Sequence, residues 1–117
     1  MPARRASELA EAGARAWREA ACAQRSALAD HGEFYGLAGE LVATLRALES
    51  LADVLVRQVA TYGQGRALRD DEDAQPAARL ASAVADLTRV RELLSGAERA
   101  ANRFWSEIGH VAVEEEL

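Results

Sequence analysis

Apolar residues recur at alternating spacings of three and four along two stretches of this chain. Leu80, Ala83, Leu87, Val90, Leu94, Ala97, Ala101, Phe104, Ile108 and Val111 form one such run. Phe34, Ala38, Leu41, Leu45, Leu48, Ala52, Leu55, Val59 and Tyr62 form another. A repeat near 3.5 residues keeps one stripe turned toward a partner helix, so both segments predict long helices with coiled-coil-like packing. The expected fold is all-α: an elongated three-helix chain whose second and third helices make a long antiparallel hairpin.

The punctuation residues set the boundaries. Helix one is expected over about 3–29, with Pro2 where a helix start tolerates it and Asp30-His31-Gly32 as its stop. Helix two should run over about 33–62, its first turns weakened by Gly36 and Gly39, which would suit a close approach by another backbone. Gly63-Gln64-Gly65 opens a loop over 63–73. Helix three should occupy about 74–113, with Pro76 in its first turn and the acids at 70–73 beside its positive dipole end. An acidic tail, 114–117, would fray, and residues 1–117 are read as a single helical domain.

Of the 117 residues, half are apolar, only 5% are aromatic, and all 14 basic residues are Arg. Abundant Ala with Arg in place of Lys points to a GC-rich genome of actinobacterial type. The single Cys22 cannot form an intrachain disulfide and reads as a small, partly covered helix residue. No stretch approaches the roughly 20 apolar residues that cross a bilayer. Arg15, Arg18 and Glu19 interrupt any apolar secretory leader, so a cytoplasmic location is expected. The net charge of −5 is concentrated in acids at 70–73 and 114–116. That balance is contrary to a nucleic-acid binder, which needs a basic stripe that Arg4 and Arg5 do not supply.

Chemistry-bearing motifs are few. Glu107-Ile108-Gly109-His110 has the Glu-x-x-His spacing of ferritin-like di-iron bundles, and the hairpin would bring Glu33, Glu40 and His31 near it. On the helical wheel, however, Glu107 and His110 fall away from the Leu87/Val90/Leu94/Ile108 stripe, and a second such motif is lacking. No metal or cofactor is therefore expected, with Glu107 and His110 the alternative ligands. His31 reads as a helix-end or solvent residue. No nucleophile triad or phosphate-binding loop is recognisable, so an enzyme is not expected.

Helix one carries a thin stripe of Leu9, Ala16, Ala20, Ala23 and Ala27, with Trp17 and Leu28 as its only bulky additions. Helix one could close a three-helix bundle within one copy, or two hairpins could pair as a four-helix bundle; an Ala face covers Leu and Val poorly, which favours the oligomer. Leu41, Leu45, Leu48 and Leu55, with Leu87 and Leu94, are the expected interface residues. Tyr35, Phe104 and Trp105, joined by Phe34, should cluster at one end of the hairpin, and Trp17 is placed to dock helix one. Arg91 and Glu98 flank the helix-three stripe seven residues apart, as register-setting edge charges do.

The hairpin of two long helices resembles the small helical-hairpin substrates of type VII secretion over about 80 residues. That resemblance implies a secreted hairpin. Their Trp-x-Gly turn is replaced here by Tyr62-Gly63-Gln64-Gly65, and neither Tyr35 (followed by Gly39) nor Tyr62 (followed by Arg66) supplies the Tyr-x-x-x-Asp/Glu export signal. The sequence thus predicts a non-catalytic helical protein–protein interaction module, an adaptor, assembly subunit or regulator. It would meet protein partners, including copies of itself, through helix faces. A carboxylate/His metal bundle and a secreted hairpin are the alternatives.

Overall fold

A computed structural model describes residues 5–114 and is all-α: α1 (Ala6–Ser26), α2 (His31–Thr61) and α3 (Pro76–Gly109). The chain divides into two units, one ending at Asp30 and the other starting at His31. Pro2, Ala3 and Arg4 at the expected start of helix one, and residues 115–117 of the acidic tail, lie outside the described residues.

The first unit holds α1. Its sequence has no proline or β-branched residue, Glu8 sits in the first turn and Arg25 in the last, each favourable to the helix dipole. Glu11 and Arg15 pair at 3.2 Å, four residues apart. No α1 residue is buried; Trp17 and Ala20 are half-covered, and Leu9 is exposed. Cys22 is also exposed rather than partly covered. The helix stops at Ser26, before the expected Asp30-His31-Gly32. The Ser26 hydroxyl turns back to donate to the Cys22 carbonyl, and Ala27 is already extended. His31 and Gly32 instead open α2, with Asp30 just ahead of it, the position where Asp is favoured before a helix.

The second unit is an antiparallel hairpin of α2 and α3. Four pairings fix its register. Arg46 of α2 meets Glu98 of α3 at 2.6 Å, and Asp53 meets Arg91 at 2.8 Å. Seven residues forward on α2 are thus matched by seven backward on α3. Farther along, the Trp105 ring lies against Gly39 and the Tyr35 ring against Gly109. A methyl group on Gly39 would stand 3.2 Å from Cζ2 of Trp105, and one on Gly109 3.1 Å from Cε2 of Tyr35. Each helix therefore contributes one aromatic ring and one glycine, and each glycine seats the other helix's ring. The close approach expected at Gly39 is real, although a side chain makes it; Gly36 has nothing within 4 Å.

These pairings turn both helices relative to the sequence expectation. The buried residues of α2 are Ala38, Val42 and Ala52, with Leu45, Glu49, Val56 and Val59 half-buried. The seam keeps 38, 45, 52 and 59 of the expected stripe but replaces 41 and 48 by 42 and 49, while Leu55 and Val56 are both half-buried. On α3, Leu80, Leu87, Leu94, Ala101 and Ile108 stay half-buried, while Val84, Arg91, Glu98 and Trp105 are better covered than Val90, Ala97 and Phe104. Both stripes slip by one residue at every second step.

At the far end, α2 stops at Thr61, and Gly65 takes a left-handed conformation with φ of 71°. The Arg66 guanidinium donates to the Tyr62 carbonyl at 2.8 Å and lies 4.5 Å over its ring, satisfying a carbonyl beyond the helix end. Pro76 opens α3 at its first position. The acids expected to sit beside this start are anchored to it. One Asp70 oxygen accepts from the Glu72 and Ala74 amides, and the other accepts from Arg79 at 2.7 Å. Glu72 accepts a second Arg79 hydrogen bond at 2.9 Å. The Arg79 guanidinium, then the Ala74 and Glu72 amides, hold the Asp70 carboxyl below its ordinary range. α3 ends at Gly109, short of the expected 113, where β-branched Val111 and Val113 follow a residue of low helix propensity.

Three expectations follow from this packing. Gly36→Ala should raise the unfolding free energy by about 0.5–1 kcal/mol, since only helix propensity changes there. Gly39→Ala should forfeit that gain and shift the indole NMR signal of Trp105. Val42, 1% exposed, is the residue where a charge breaks the hairpin: Val42→Asp should cost ~3–5 kcal/mol and abolish the helical circular dichroism. Leu48→Asp, on a side chain 43% exposed, should retain it. Because the folded state favours ionised Asp70, its anchoring should be complete above the ordinary Asp range, about pH 4, and be lost as pH falls through the lowered value. Asp70→Ala should remove hydrogen-exchange protection at the Glu72 and Ala74 amides at neutral pH while the Val42 amide keeps its own.

Candidate interaction surface

The two edges of the hairpin differ in chemistry. On one edge the seam is closed by charges: Arg46 to Glu98, Arg91 to Asp53, and Arg57 to the second Asp53 oxygen at 3.1 Å. Arg46 holds the Glu98 carboxyl below its usual range. Arg91 and Glu98 are thus edge charges, as their spacing predicts, and their partners on α2 repeat the same seven-residue interval with opposite sign. These charges are answered within the hairpin, so this edge has little call on a partner.

The opposite edge is apolar. On α2, Leu41, Leu48 and Leu55 lie one position before the seam residues 42, 49 and 56, on the flank away from Arg46 and Asp53. On α3, Val90, Ala97 and Phe104 stand one position before Arg91, Glu98 and Trp105. Because the helices are antiparallel, these two flanks fall on the same edge. Leu41, Leu48 and Leu51 of α2 and Val90, Leu93 and Phe104 of α3 are all exposed, Leu93 the most at 55%. Single exposed Leu residues are ordinary on a protein surface, but a continuous strip of them along two adjacent helices is not.

The expected interface residues therefore divide. Leu41, Leu48 and Phe104 are exposed on the apolar edge; Leu45, Leu55, Leu87 and Leu94 are half-buried between that edge and the seam. The expected interface residues do not include Leu51, Val90 or Leu93, of which Leu51 and Leu93 lie outside both repeats. Tyr35 and Trp105 meet with ring centroids 5.8 Å apart and planes tilted by 51°. They form the core of the expected aromatic cluster, whereas Phe104 points elsewhere. Trp105 Nε1 is buried over Gly39 without an acceptor among the described residues. Trp17 is half-covered on α1.

A groove of about 700 Å³ opens beside the Tyr35–Trp105 pair, lined also by His31, Asn102, Ser106 and His110. Glu107 and His110, the alternative metal ligands, are both exposed, the first in the last turn of α3 and the second just past its end. Among the described residues no group of three or more His, Cys, Asp or Glu side chains is placed to hold a metal ion. Nor is any described helix long and apolar enough to cross a membrane. The sequence did contain a signal for the true phase of the seam: Arg46 and Asp53 mirror Glu98 and Arg91 in sign and spacing. The chain matches no protein-family model, no curated protein and no solved structure.

Proposed function

We propose that this chain is a non-catalytic, cytoplasmic interaction module that docks a helical partner on the apolar edge of its α2–α3 hairpin. The observation that carries the reading is the asymmetry of the two edges. One is closed by internal ion pairs, while the other leaves Leu41, Leu48, Leu51, Val90, Leu93 and Phe104 in water. Covering such a strip removes apolar area worth roughly 25 cal/mol per Å² from solvent. A helix laid along the groove between two helices is a recurrent way to do so. The role that fits is that of an adaptor or assembly subunit, whose specificity lies in the pattern of large and small residues along the edge.

Site-specific photo-crosslinking in the host cell tests this directly. A photoreactive residue at position 48, on the apolar edge, should yield discrete protein adducts. One at position 50, exposed on the charged edge, should yield none. Equal adducts from both positions, or none from position 48, would remove the basis for the proposal.

A further inference from the structure

Resting on that reading, we infer that the occupant of the apolar edge is a second copy of this chain, forming a two-fold four-helix bundle. The first observation concerns the area available. The six exposed residues of the edge leave about two-fifths to just over half of their surface in solvent. Together they offer on the order of 500 Å² per copy, the larger part of the about 800 Å² per partner that a specific interface buries. The hairpin alone fully buries only Ala38, Val42 and Ala52.

The second observation is self-complementarity. The α2 side of the edge is Leu-rich, with Leu41, Leu48, Leu51 and Leu55. The α3 side is lower, with Ala83, Val90, Ala97 and Ala101, broken by Leu93 and Phe104. A two-fold axis parallel to the helices sets α2 of each copy against α3 of the other, antiparallel, so every neighbour in the bundle is antiparallel. The hairpin's own register then carries over without a shift. Leu48 of one copy falls level with Gly96 and Ala97 of the other, Leu55 with Val90, Leu51 with Leu93 and Leu41 with Phe104, so the apolar strip is answered by apolar residues along its whole length. Such an interface is isologous: the same patch serves both copies.

The edge is also continuous with the existing seam. Leu45, Leu87 and Leu94, half-buried in the hairpin, would be completed rather than rearranged, turning a two-helix seam into a four-helix core.

Light scattering of the full chain at micromolar concentration should give about 25 kDa, twice the 12.6 kDa of one copy, and Leu48→Glu should return the mass to that of one copy. Should that variant misfold, cysteine crosslinking decides instead. In a Cys22→Ser background, a Leu48→Cys chain mixed with an Ala97→Cys chain should oxidise to a covalent heterodimer, and neither should crosslink alone. A monomeric wild type would overturn the inference; adducts from position 48 to other proteins in the cell would then leave the interaction-surface reading standing. Crosslinking of the Leu48→Cys chain with itself would overturn the α2-on-α3 arrangement.

Discussion

The narrow contact between α2 and α3 governs the rest of this molecule. Its fully buried members are two alanines and one valine. Small side chains let the helices approach closely but bury little area each, so packing alone fixes their rotation weakly. The rotation is held by directional contacts at intervals along the seam. Two ion pairs of opposite polarity occupy its middle, and two aromatic rings seated on glycines occupy the end where α2 begins and α3 finishes. A slip of one helical turn would set Arg46 and Asp53 beside the wrong neighbours and drive both rings against side chains instead of glycine.

That rotation decides which residues become surface. Turned by one position at alternate steps, Leu41 and Leu48 would point into the hairpin and Val42 would lie outside. As built, the larger leucines stay on the flank and the smaller residues fill the seam. The fully covered positions thus take small side chains, while Leu41, Leu48, Leu51, Val90, Leu93 and Phe104 stay exposed on the flank.

The element types, their order and the antiparallel pairing were legible from the 3-4 repeat, which is a property of the backbone period. The phase of the seam was not, because both helices are apolar over a wide arc and the repeat fits two adjacent stripes nearly equally. Only residues with a directional requirement distinguish them, and the complementary charges at 46, 53, 91 and 98 carry that information. Helix ends were displaced for local reasons. Ser26 back-bonding brings α1 to an earlier stop, while Gly109 followed by alternating valines shortens α3. Most of the surface strip was visible: Leu41, Leu48, Val90 and Phe104 belong to the repeats, whereas Leu51 and Leu93 fall outside them.

The anchored connection between the helices bears on how copies of this chain can meet. An unattached loop of such length could straighten and let α3 leave its own α2 for that of a neighbour. Here, straightening over 70–79 would surrender the two amides and the guanidinium gathered on Asp70, together with the second arm from Arg79 to Glu72. The α3 side of the connection is thus clasped by its own carboxylate, and the stretch that could act as a hinge is shortened from that end.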